Sequence, residues 1–226
     1  MGYQPGDPAI LFDLDGTLVD TAYEHAEAWS TALRSVGIIV PKWKIHRRIG
    51  MSGKSLLRQV LRETAPRRKV NAEQLEKKHD AAFRQLIRKG VDALPGAQEL
   101  IRFVAIAGVR WAIATTGGRE QTKTLLRGLR LPSKAVIVTG DDVAKAKPSP
   151  NILVAAAARI DVPIDHCIVV GDSIWDMLAA GRRRALSVGL LSGGYSQEEL
   201  EQAGAFRVYA DASDVLEHIE DVGIDR

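Results

Sequence analysis

A doubly wound parallel α/β sheet, interrupted near its start by one helical insert, is the fold this sequence predicts, and three observations predict it. From residue 95 onward short apolar runs alternate with helical patterns, the rhythm of a parallel sheet covered on both faces. A further apolar run, Ala9-Ile10-Leu11-Phe12, stands alone near the other end of the chain and stops abruptly at two acids, Asp13 and Asp15. Between these parts, residues 21–91 show helical patterns only and carry 16 Lys and Arg against 6 Asp and Glu, a balance of +10, while the rest of the chain balances at −7. Two differently composed units are joined: an α/β core from residues 1–20 and 92–226, and a helical domain from residues 21–91.

The elements follow in order. Residues 1–8 hold Gly2, Pro5, Gly6 and Pro8 and read as an irregular lead. The run from Ala9 is short, apolar and bounded by Pro8 and Gly16, as a buried strand is. Ala22, Ala26, Trp29, Leu33 and Val36 recur at helical spacing before Gly37, so an amphipathic helix is expected there. Further helices are predicted at 42–49, 52–64 and 72–88, the last capped by Asn71 with Gln74. A helix opens after Pro95-Gly96, then strands at 109–115, 135–140, 166–171 and 187–191 alternate with helices at 119–129, 150–160 and 175–183. Ser196 to Glu199 is a capping box, and a strand at 207–209 with a helix at 215–219 ends the pattern.

At 226 residues, 46% apolar and 26% charged, the composition is that of a soluble globular protein large enough to bury a substantial core. No apolar stretch approaches the roughly 18 to 20 residues that span a bilayer, and the first residues lack a secretory pattern, so a cytoplasmic location without membrane partners is expected. Cys167, the single cysteine, lies in an apolar run and is expected to be a buried, inert thiol. Aromatic residues are 5% and no stacking platform is present, which argues against nucleic acid as a partner of the basic segment.

Ligands of parallel sheets gather at the carboxyl ends of strands, and four predicted strand ends here carry polar groups. Asp13 and Asp15 lie two apart on an extended chain, so they share a side; two close acids repel, and a hard cation such as Mg2+ beside them is the simplest remedy. Thr115, Thr116 and Gly117 offer a hydroxyl and backbone N–H groups at a helix start, a ready anion site. Lys147 precedes a proline-started helix, and Asp172 and Asp176 bracket the turn after the 166–171 strand. Taken singly these are a turn, a solvated lysine and a helix cap. Together, three acids at two strand ends, a lysine and an anion nest form a coherent set for phosphoryl transfer.

The stretch Phe12-Asp13-Leu14-Asp15-Gly16-Thr17-Leu18-Val19-Asp20 resembles the first motif of the haloacid dehalogenase superfamily, and the Thr115, Lys147 and Gly171-Asp172 stretches resemble its later motifs in order. The resemblance implies that Asp13 is the nucleophile that becomes an aspartyl-phosphate and Asp15 the general acid and base. It implies Mg2+ held by Asp13, the Asp15 backbone carbonyl and Asp172, with Asp176 behind them, and phosphoryl oxygens bound by Thr115, Thr116, Gly117 and Lys147. The helical insert falls where the superfamily places its type-one cap.

Dehalogenases lack an acid in the place of Asp15, so a phosphatase or phosphomutase acting on a small phosphorylated metabolite is expected, as a monomer or homodimer. Within the cap, Gly50 to Lys54 is a glycine-rich loop suited to dipping into the site, and Arg47, Arg48 and Lys54 are candidates for a second anionic group. The stretch around His25 and Trp29 is similar to that of β-phosphoglucomutases, where a histidine serves at the boundary of cap and core. The loop arginine that those mutases use is replaced by Gly53, which favours a hydrolase like the phosphoglycolate phosphatases. A receiver module or a silent binding protein is the alternative of another class; the insert and the Asp13-x-Asp15 spacing oppose it.

Overall fold

The computed structural model describes residues 7–64 and 69–225, so most of the predicted lead, residues 1–6, lies outside the described residues. Six strands form one parallel sheet: β1 (Ala9–Phe12), β2 (Trp111–Ala114), β3 (Val136–Val138), β4 (Cys167–Gly171), β5 (Leu186–Leu190) and β6 (Arg207–Tyr209), in the order β3-β2-β1-β4-β5-β6. The order reverses between β1 and β4, the switch point at which doubly wound sheets open a crevice for ligands.

Alternation along β1 assigns the two faces. Ile10 and Phe12 pack into a core with Leu100 and Val104 of α5 (Ala97–Ile106) and Val215 of α10 (Ala212–Glu217). Ala9 and Leu11 pack on the other face against Ile152 and Ala156 of α7 (Asn151–Arg159) and Ala179 of α8 (Ile174–Gly181). Strand β4 is buried along its whole length, which is why it reads as an unbroken apolar run. Cys167 lies buried within it, and burial pushes its thiol up to about 12. The 119–129 helix is divided into α6 (Arg119–Leu125) and a 3-10 turn. The last helices are α9 (Gln197–Gln202), opened by the reciprocal Ser196–Glu199 box, and α10.

The insert forms α1 (Ala22–Arg34), α2 (Lys42–His46), α3 (Gly53–Thr64) and α4 (Ala72–Leu86), with no strand among the described residues. Trp29, Leu33, Ile45, Leu57, Val60 and Leu75 build a hydrophobic cluster that holds no residue of the sheet. Its root is shared: Ala28 of α1 and Phe83 of α4 pack into the core beneath β1. The chain leaves and returns along adjacent strands of backbone, with Asp20 N–H donating to the Asp92 carbonyl and Leu94 N–H to that of Leu18. A second attachment lies across the molecule, where the His46 ring meets the Gly193 carbonyl at 2.9 Å and Tyr195 donates to the Arg47 carbonyl at 2.7 Å.

Candidate active site

Phe12 pairs with Val170 in register, and Asp13 N–H donates to the Val170 carbonyl at 2.8 Å. That pairing sets the loop after β1 beside the loop after β4. Asp13, Asp172 and Asp176, all buried, offer carboxylate oxygens within 4.8 Å of one another. Lys147, fully buried, reaches into this group, with its Nζ 2.6 Å from Asp13 and 2.7 Å from Asp176. It is no solvated lysine.

Other groups hold the acids in place. Thr17 donates to Asp172 at 2.9 Å, and Asp176 accepts from Ser173 Oγ and N–H while capping α8. Gly16 has φ +80°, and a Cβ there would stand 2.5 Å from an Asp172 oxygen, so the loop passes only with a glycine.

The charge balance of this cluster is uneven. Burial, opposed by Lys147 and reinforced by the Asp176 charge, pushes the Asp13 carboxyl up to about 7. Burial and the charges of Asp176 and Asp13 raise Asp172 well above the carboxylate range. Burial opposes the charge on Lys147, but Asp13 and Asp176 outweigh it and hold the ammonium firmly protonated. Were all three carboxyls ionised, the single ammonium would leave negative charge uncompensated, and an all-oxygen donor set of this kind suits a hard divalent cation.

Asp15 is turned away from that triad. It accepts from Thr21 at 2.6 Å, lies 3.1 Å from His25 Nε2, and accepts from Thr115 Oγ at 3.3 Å. Burial disfavours its charge, yet His25 and these hydrogen bonds outweigh burial and hold the carboxyl below its usual range. The Gly117 N–H donates to Thr115 Oγ at 3.1 Å, so the loop after β2 is organised around the hydroxyl facing Asp15.

A cavity of about 780 Å³ opens over this edge, between the sheet and the helices of the insert. Asp15, Thr116, Gly117 and Gln121 form its floor; His25, Gly50, Lys54, Arg58 and Glu76 come from the insert, and Lys145 and Arg182 from the rim of the core. Gly50 has φ +93°, and a Cβ there would meet Ser173 Oγ at 2.6 Å, so the glycine-rich loop touches the loop after β4. Arg48 does not line the cavity; its guanidinium pairs with Glu63 and donates to the Lys44 carbonyl. Arg47 likewise pairs with Glu199 and covers the Tyr195 ring.

His79, Thr17, Thr21 and Gln121 also meet the site, by hydrogen-bond contacts with His25, Asp172, Asp15 and His25 in turn. The two threonines stand inside or next to the first motif, and their hydroxyls reach Asp172 from Thr17 and Asp15 from Thr21. His79 gives no local signal, since its partners are distant in sequence. Buried beside the His25 ring, it is held to about 4 by burial, with the Asp80 hydrogen bond opposing. A histidine kept neutral when folded costs stability as pH falls below its unfolded value near 6.5, and the loss levels off near the folded value. Between pH 7.5 and 4.5, His79→Phe should therefore lose less stability than the wild type, by up to about 3 kcal/mol, measured from urea unfolding.

Acids, a buried lysine and a hydroxyl at the carboxyl edge of a doubly wound sheet, roofed by a helical unit, fit one class: a phosphatase- or phosphomutase-like enzyme. Residues 8–182 match the haloacid dehalogenase-like hydrolase family, and the chain belongs to it. It is 32% identical over 175 residues to hexitol phosphatase A of Escherichia coli (strain K12), covering 76% of this chain and 79% of that one. It is 31% identical over 201 residues to a phosphoglycolate phosphatase of Colwellia psychrerythraea, covering 86% and 89%. A solved hydrolase from Pseudomonas syringae superposes with a TM-score of 0.91 at 46% identity, over 96% of this chain and 99% of that one. No helix among the described residues is long and apolar enough to cross a membrane.

Proposed function

We propose that this HAD-family hydrolase is a Mg2+-dependent phosphatase of a sugar or polyol phosphate, with residues 21–91 acting as the cap over the 1–20 and 92–226 core. The observation that carries the reading is the buried Asp13–Lys147 pair set beside Asp15 under a cavity of about 780 Å³. That volume lies in the range of pockets that enclose whole metabolites, and a two-carbon acid such as phosphoglycolate would leave much of it to water. Lys54, Arg58, Lys145 and Arg182 along its wall suit an anionic substrate.

In this reading an Asp13 carboxylate oxygen attacks phosphorus, the bond from phosphorus to the ester oxygen breaks, and the departing oxygen takes a proton from Asp15. Water then attacks the same phosphorus and gives a proton to the Asp15 carboxylate, the acyl-phosphate bond breaks, and Asp13 and inorganic phosphate are restored. Asp15 is ionised at rest, and a phosphoryl dianion beside it raises its proton affinity, so one group serves both halves. Lys147 offsets the repulsion between Asp13 and the incoming anion, while Thr115, Thr116 and Gly117 line its approach. Asp13, Asp172 and the Asp15 backbone carbonyl, with Asp176 behind them, would hold Mg2+, which supplies further neutralisation of the transferring group.

The mutase alternative calls for a cap-loop arginine to hold a second phosphate; a Cβ at Gly53 would already lie 2.7 Å from a Glu76 oxygen and 2.9 Å from Trp29. The test is phosphate release from sorbitol 6-phosphate, phosphoglycolate and both anomers of glucose 1-phosphate, with Mg2+ or with EDTA. Release is expected fastest from the six-carbon esters and lost in EDTA. Mg2+ at a hundred times its dissociation constant should also stabilise the fold by about 2.7 kcal/mol. Conversion of β-glucose 1-phosphate to glucose 6-phosphate without release would refute the hydrolase reading.

A further inference from the structure

Asp15 is the near end of a file of four side chains. His25 Nε2 lies 3.1 Å from Asp15 Oδ1, His25 Nδ1 lies 3.0 Å from His79 Nε2, and His79 Nδ1 lies 3.0 Å from Asp80 Oδ1. The two rings are buried and nearly parallel, His25 stacked on Phe83 and His79 on Trp29. Asp80, at the far end, is half exposed. Helix α1 supplies His25 and Trp29, α4 supplies His79, Asp80 and Phe83, and only Asp15 belongs to the core, on the loop after β1.

The file has a direction. An Asp80 carboxylate only accepts, so His79 Nδ1 carries the hydrogen between them. Burial keeps His79 neutral, which leaves its Nε2 as an acceptor for His25 Nδ1–H. With Nδ1 so engaged and the ring packed on Phe83, His25 presents Nε2 to Asp15, and since a carboxylate only accepts, Nε2 must carry a hydrogen to hold it; the Gln121 amide of α6 lies 3.1 Å from the same nitrogen.

We propose that His79 and Asp80 are positioning residues of the reaction, fixing the orientation of the His25 ring so that its Nε2 holds Asp15 in the pose from which it protonates the leaving oxygen. The proposal rests on the phosphatase reading. It ties the competence of a core acid to the packing of α1 on α4 inside the helical insert.

The test separates steps by leaving group. An alkyl alkoxide needs a proton as it departs, whereas 4-nitrophenolate leaves as a stable anion, and kcat/KM covers only the steps up to that departure. For His79→Phe, which keeps a ring between Trp29 and Phe83, kcat/KM at pH 7.5 should fall about 30-fold on the best alkyl ester of the panel above and stay within about threefold on 4-nitrophenyl phosphate. Asp80→Ala should show the same selective loss in smaller measure, and Asp80→Asn, which keeps an accepting oxygen, should restore most of it. Equal losses on both esters, or none for either variant, would overturn the proposal. A wild type that hydrolyses neither ester would remove the phosphatase reading itself, a distinct failure.

Discussion

Asp13→Asn is expected to abolish turnover, by at least about a thousandfold, and to leave the fold at least as stable as the wild type in EDTA. The first half follows from the nucleophilic role proposed for the carboxylate: an amide oxygen is a poor nucleophile and forms no acyl phosphate. The second half follows from crowding. Asp13, Asp172 and Asp176 are buried together with a single ammonium, so removing one charge relieves repulsion while Lys147 keeps Asp176. Phosphate release and urea unfolding in EDTA check the pair. A variant destabilised by several kcal/mol would mean that Asp13 is chiefly a structural anchor for Lys147.

Lys147→Met is expected to fail on both counts. It leaves two buried carboxylates without their ammonium, and breaking a buried pair from one side costs about 3–5 kcal/mol. Activity falls with it, since nothing else of positive charge touches Asp13 among the described residues. Urea unfolding measures the loss of stability; a variant that unfolds like the wild type would show that the carboxylates are neutral at rest and the ion pairs weak.

The sheet edge was legible because strand ends in a parallel sheet are constrained. An apolar run that stops at an acid, as before Asp13 and Asp172, announces its position, and strand ends of one parallel sheet meet along one edge. The burial of Lys147 was not legible, since a lysine in a loop declares its partners only once β1 and β4 are known to be neighbours. The insert was readable as helices through the spacing of Ala22, Ala26, Trp29 and Leu33 and the Asn71 cap, but the register of α1 on α4 is a matter of packing. His25 and His79 stand 54 residues apart, and no local pattern joins them. The pairing of Arg48 is hidden for the same reason: its partner Glu63 belongs to the next helix but looks unrelated in the sequence.

The state of Cys167 has a practical consequence. A thiol with a pKa near 12, buried in a central strand, is almost wholly protonated and shielded at neutral pH, so maleimide dyes have no native target among the described residues. Cysteines introduced at exposed positions, Glu73→Cys on the insert and Glu198→Cys on the core, can then be labelled in the otherwise unaltered enzyme. Energy transfer between the two dyes would follow the separation of insert and core through each turnover, one molecule at a time.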